Sequence, residues 1–135
     1  IDVSPNDAAR AALRNNLGSL QRRRGGDNAD LSALETFRAA IADDPRHWPA
    51  LYNFAITQLS LARTEPPVQQ ASRLNDAIEA LARAESIVPN NLTVRLQLAR
   101  TLAAAGRRDD ALRAAQRLID LAPSSPQARE ARTLR

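Results

Sequence analysis

The sequence predicts an all-α protein built as an array of helix-turn-helix units, about seven helices in all, and three observations lead there. Of its 135 residues, 27 are alanine and only four are aromatic, with few β-branched side chains, a composition that favours helix over sheet. Prolines 45, 89 and 123 each close a run with helical apolar spacing, and Pro89 and Pro123 stand 34 residues apart. The residues ahead of them agree as well. Ala33, Ala77 and Ala111 lie twelve positions before the proline and Phe37, Leu81 and Ala115 eight before it, with Ala40, Ala84 and Leu118 on the same side about one turn on. Such a period marks a helical hairpin that cannot bury its apolar face without a neighbour.

Caps and stops place the elements. Ser4, Pro5 and Asp7 form a capping-box-like start, so the first helix runs from about Pro5 to Arg24, where Gly25 and Gly26 stop it. Asp30 or Ser32 opens the second helix, Ser32 and Glu35 having capping-box spacing. The third runs from about Pro49 to Arg63, and a long fourth from about Pro67 to Ile87. Asn91 caps the fifth, which stops at Gly106, and the sixth spans about Asp109 to Leu121. Ser125 and Pro126 start a short seventh, Gln127 to Leu134, whose charges suit a terminal cap. The chain thus reads as a single domain, 1–135, with units at 5–47, 48–91 (insertion 63–72) and 92–125, and a capping helix at 126–135.

The first helices also align. Asn16, Leu17 and Gly18 match Asn53, Phe54 and Ala55, and both match Gln97, Leu98 and Ala99: polar, large apolar, small. The small residue admits the next helix while the large one fills the groove beside it. The whole pattern resembles the tetratricopeptide repeat family over nearly the full chain. Residues 92–125 fit best, through Leu98, Ala99, Leu102, Gly106, Ala111, Leu118, Leu121 and Pro123. Departures are about three extra residues in GGDNAD, about ten around RTEPPVQQAS, and Ala115 where the family usually has an aromatic.

The resemblance implies a right-handed superhelical array whose first helices line a concave groove for a partner chain. Carried over by position, that wall comprises Asn15, Ser19 and Arg22 from the first unit, Tyr52, Asn53, Ile56 and Leu59 from the second, and Leu96 and Arg100 from the third. The middle should be apolar and the ends polar. Tyr52, Ile56 and Leu59 are the sharpest feature, because Leu51, Phe54, Ala55 and Gln58 already take the packing face of that helix. They would form an open apolar patch suited to a peptide helix or extended segment, unless the long fourth helix or the insertion folds over them. A subfamily clamps chaperone C-terminal carboxylates. Only Asn53 has a counterpart in that clamp, with Ser19, Thr93 and Gln97 standing where other polar or basic groups are needed, so no clamp is expected.

Convergent chemistry is sparse. Cysteine is absent, and His47, beside Trp48 in a turn, is the one histidine, so neither a metal set nor a nucleophile with its base is legible. Gly25 and Gly26 follow a helix rather than a strand and read as a helix stop, not a phosphate loop. Asp109 and Asp110 suit a helix start, whereas Asp43 and Asp44 at a helix end call for arginine partners such as Arg46. No enzyme, cofactor or metal is expected.

Charge is uneven: residues 1–47 balance, 48–91 carry −1, and 92–135 hold nine arginines against four acids. That basic third has no aromatic residue, which argues against a single-stranded nucleic-acid platform and for a solvated arginine-rich face. No apolar run approaches eighteen residues, so no transmembrane segment is expected. All nineteen basic residues are arginine, which with the alanine excess suggests a GC-rich bacterial coding sequence, and a soluble cytoplasmic or periplasmic protein. The start at Ile1, without methionine or a leader, suggests a processed product or a fragment.

The expected function is a non-enzymatic protein–protein interaction module, a scaffold for complex assembly that takes a peptide or partner subunit in its groove. The alternative is a permanent accessory subunit or appended domain, docked on a larger complex, membrane-associated or not, through its insertion and basic C-terminal helices. Ionic strength separates the two contact modes, because a basic surface weakens with salt and an apolar groove does not.

Overall fold

Ser4 opens the first helix in the expected way: its Oγ accepts a hydrogen bond from the Asp7 N–H at 3.1 Å, and Pro5 occupies the first turn, where a missing N–H is harmless. A computed structural model describes residues 3–135, so Ile1, which carried the expectation of a processed start, lies outside the described residues. Seven helices follow in order: α1 (Pro5–Arg24), α2 (Ala29–Asp43), α3 (Trp48–Ala62), α4 (Pro67–Ile87), α5 (Leu92–Ala104), α6 (Arg108–Leu121) and α7 (Pro126–Arg132).

Two boundaries differ from expectation for local reasons. α2 begins at Ala29, ahead of both expected starts, because Gly25, Gly26 and Asn28 all adopt positive φ and reverse the chain within a few residues. Ser32 therefore lies inside the helix rather than capping it, and its carbonyl accepts from Thr36 Oγ1. α7 ends at Arg132, two residues early, in a turn closed by the Thr133 and Leu134 N–H groups. Elsewhere the caps form as read. Asn91 Oδ1 accepts from the Val94 N–H at 3.0 Å, and Ser125 Oγ from the Ala128 N–H at 3.0 Å. Gly106, at φ 78°, ends α5 in a Schellman arrangement, with the Arg107 N–H on the Leu102 carbonyl and its own on that of Ala103.

Within each unit the two helices pack as a hairpin, and the hairpins stack: α2 on α3, α4 on α5, α6 on α7. α7 also touches α5, so it takes the place of a fourth first helix. The nine aligned second-helix positions are all core. Ala33, Phe37, Ala40, Ala77, Leu81, Ala84, Ala111, Ala115 and Leu118 are each 2% exposed or less. The small first-helix residues Gly18, Ala55 and Ala99 are buried too, and a Cβ placed on Gly18 would meet the Phe37 ring at 2.5–2.8 Å. Glycine at this position thus avoids a close approach to the facing aromatic ring.

One expected ion pair has other partners. Asp43 binds Arg14 and Arg10 of α1, tying the end of α2 to the first helix, while Asp44 Oδ1 accepts from the backbone N–H of Arg46 at 3.0 Å rather than from its guanidinium.

Candidate functional site

Along α1 the residues assigned to the groove wall are engaged with neighbours. Asn15 is buried, and its Oδ1 accepts from Asn53 Nδ2 of α3 at 2.9 Å; the same amide reaches Ser19 Oγ at 3.4 Å. Arg22 Nε donates to Asp30 Oδ1 at 3.1 Å, and Ser60 Oγ of α3 donates to the other oxygen of that carboxylate at 2.6 Å. These bonds make the first-unit end of the groove polar and fix α1 and α2 to α3.

The middle, expected to be one apolar patch, is divided into two recesses with polar side chains among the lining of each. Tyr52 is partly buried and lies in a recess with Trp48, Pro49, Asn53, Asn91, Thr93 and Val94, of about 310 Å³. Ile56 and Leu59, also partly buried, lie one turn and two turns further along α3 in a second recess of about 360 Å³ between α3, α4 and α5. Gln70 and Leu74 from the first turns of α4 form one side of it, Gln97, Arg100, Thr101 and Ala104 of α5 the other, and Arg63 one end. The insertion therefore flanks the apolar patch without roofing it.

A polar brace holds those extra turns of α4. Arg73 forms a bidentate pair with Glu65, at 2.5 and 3.0 Å, and donates to Gln58 Oε1 at 2.8 Å. Gln58, fully buried, donates in turn to Asp76 at 3.3 Å. The Arg73 hydrogen bonds hold the Glu65 carboxyl below the usual carboxylate range, and Glu65 raises Arg73 in return. Gln70 Nε2 completes the brace on the Ala62 carbonyl at 3.0 Å.

Leu96 and Arg100 fall differently. Leu96 is 7% exposed and belongs to the core, because α5 packs against α4, α6 and α7 together and keeps little open surface. It is withdrawn from the open wall. Arg100 is exposed at the rim of the second recess, 3.5 Å from Glu130 of α7. Arg63 and Leu74 escaped the sequence reading. Arg63 was legible as the residue one turn beyond Leu59, but Leu74 depended on the path of the insertion.

A family model described as tetratricopeptide repeat matches residues 69–134. The chain is a tetratricopeptide-like array of helical hairpins, and residues 69–134 carry the family's sequence pattern. Such repeats are typically non-catalytic protein-interaction modules, and three repeats with α7 as a cap account for the seven helices. The fold matches the tetratricopeptide repeat domain of Arabidopsis OM64 with a TM-score of 0.73 at 15% identity, covering 94% of each chain. It also matches TTC0263, a thermophilic tetratricopeptide repeat protein of Thermus thermophilus, at 0.72 and 24% identity; 90% of this chain aligns, spanning 61% of that one. The second such domain of human RPAP3, solved in complex with the HSP70 peptide SGPTIEEVD, matches at 0.69 and 15% identity, covering 94% of this chain and 92% of that domain. No curated protein matches the sequence. No helix among the described residues is long and apolar enough to cross a membrane.

Proposed function

We propose that this tetratricopeptide-like array binds an extended or helical segment of a partner protein in its groove, with an aliphatic side chain in the recess between α3, α4 and α5 and an acidic group beside it. The observation that carries this reading is the recess itself, where the aliphatic side chains of Ile56, Leu59 and Leu74 line one hollow together with Arg63 and Arg100. Apolar burial supplies affinity there, while the guanidinium groups select carboxylates and orient the segment. The wall residues Asn15, Ser19, Arg22 and Asn53 serve this site as a prearranged polar end, and Tyr52 offers a second anchor. The peptide bound by the RPAP3 domain combines aliphatic and acidic residues, which supports the same chemistry here, although of the carboxylate clamp this chain keeps only Asn53.

The test is a titration of the full chain with a panel of nonapeptides in which an aliphatic residue is flanked by acids, SGPTIEEVD among them. Tyr52→Ala should weaken a bound peptide by about 1–3 kcal/mol with helicity unchanged. Binding that survives Tyr52→Ala and Ile56→Ala together places the site elsewhere. A second reading has its own observation: Val68, 81% exposed at the start of α4, and the outward arginines of α6 and α7 suit permanent docking on a larger complex. That contact would weaken steeply with salt, whereas the anchor in the recess would not.

A further inference from the structure

Leu13, Leu17 and Leu20 stand at i, i+4 and i+7 on one side of α1 and are 69%, 49% and 44% exposed. Residues in the same register of the later units are Ala50, Phe54 and Thr57 on α3 and Val94, Leu98 and Thr101 on α5, and none of these exceeds 7%. The difference is the neighbour. α2 packs on α3, with Arg38 over the Phe54 ring at 5.0 Å, and α4 packs on α5, whereas no helix among the described residues stands ahead of α1. The other six helices already have their places in the stack, so none of them can cover the stripe.

We propose that this face of α1 is a docking surface for an acidic amphipathic helix of another protein, seated along α1 as α2 is seated along α3. Two observations select that occupant. The surface continues the interface by which the units already stack, and that interface takes a helix. Its rim is cationic: Arg24 lies one turn beyond Leu20 in the same stripe, and neither it nor Arg23 forms an ion pair among the described residues. They stand at the C-terminus of a helix, where positive charge is retained and a facing acid is favoured. A second copy fits poorly. Antiparallel pairing of two α1 stripes sets Arg10 against Arg24, parallel pairing sets each against itself, and head-to-tail stacking brings up the exposed arginines of α7. Like charges facing one another across an interface oppose it.

The test uses the full chain and a labelled synthetic peptide of residues 67–87, the segment that covers the equivalent face of α5 and that carries three acids against two arginines. A control peptide carries Asp76→Arg, Glu79→Arg and Glu85→Arg. The acidic peptide should bind saturably, about tenfold or more tighter than the control, and about tenfold or more weaker to the Leu13→Gln/Leu17→Gln variant. Tyr52→Ala should leave it unchanged, which separates this surface from the groove. Arg23→Glu/Arg24→Glu keeps the leucines and should reverse the preference between the two peptides, so the proposal stays testable if the leucine variant folds poorly. Absence of saturable binding, or binding indifferent to the leucines, overturns it. So does a dimer in sedimentation velocity that dissociates in the leucine variant, which would give the face to a second copy.

Discussion

The first and last helices of the described residues present opposite kinds of surface. At the C-terminal end α7 takes the place of a further first helix, buries Ala128 and Ala131 completely, and turns Arg129, Glu130 and Arg132 outward. At the other end the leucine stripe of α1 stays open. One register position shows what this means: Leu98 is 6% exposed and Leu17, with the same side chain on an equivalent helix, is 49% exposed. Burial in a repeat array is therefore a property of the stack and not of the unit, since each hairpin shelters only one flank of its neighbour. Among the described residues, the α7 flank turns charges outward and the α1 flank presents leucines in an inter-unit register.

The largest expected effect tests that contrast directly. Leu98→Ala should lower unfolding free energy by about 2–5 kcal/mol, because it opens a cavity among α4, α5 and α6. Leu17→Ala should change it by no more than about 0.5 kcal/mol, because the side chain is already half in water. Urea titrations with matched slopes measure both. Equal losses would break the comparison and show that the α1 face is covered in solution.

A smaller effect sharpens it within the core. The small first-helix residue is Gly18 in the unit that presents Phe37, and alanine in the units that present Leu81 and Ala115. Helix propensity alone would reward Gly18→Ala by about 1 kcal/mol. Overpacking against the Phe37 ring costs about 1–3 kcal/mol, so the substitution should be neutral to destabilising. Adding Phe37→Leu recreates the pairing of the second unit, and the double variant should be more stable than the sum of the single changes by about 1 kcal/mol. Strict additivity would mean that the two residues do not set each other's size.

What was legible in the sequence was whatever repeats. Proline spacing located the nine second-helix core positions, and caps such as Ser4, Asn91 and Ser125 located helix starts, because both depend on residues within one or two turns. The features that escaped depend on longer reach or on position in the stack. Leu17 aligns with Phe54 and Leu98 yet is exposed, since alignment does not record which helix packs on that face. Leu96 reads as a wall residue and is buried because α5 has helices packed around it. The partners of Asp43 are Arg14, 29 residues away, and Arg10, where local reading offered Arg46. Leu74 lines the recess only because the insertion adds helical turns to α4, which the bare count of extra residues does not specify.

The smallest expected effect concerns charge toward the α7 flank. In the first turn of α6, Asp110 accepts from Arg107 at 2.8 Å and also from Arg113, and these hydrogen bonds hold its carboxyl below the ordinary 3.8 of an aspartate. A carboxyl lowered on folding stabilises the fold above its unfolded pKa, and the contribution is lost as pH falls through the folded value. Asp110→Asn should therefore lower the midpoint of thermal unfolding slightly at neutral pH, and the gap from the parent should close below pH 3.8. Salt should shrink the same gap, because the three side chains are open to solvent and exposed pairs are screened. A gap that persists in acid would mean that the asparagine disturbs the helix start itself, so that α6 is held by its first-turn geometry rather than by its charge.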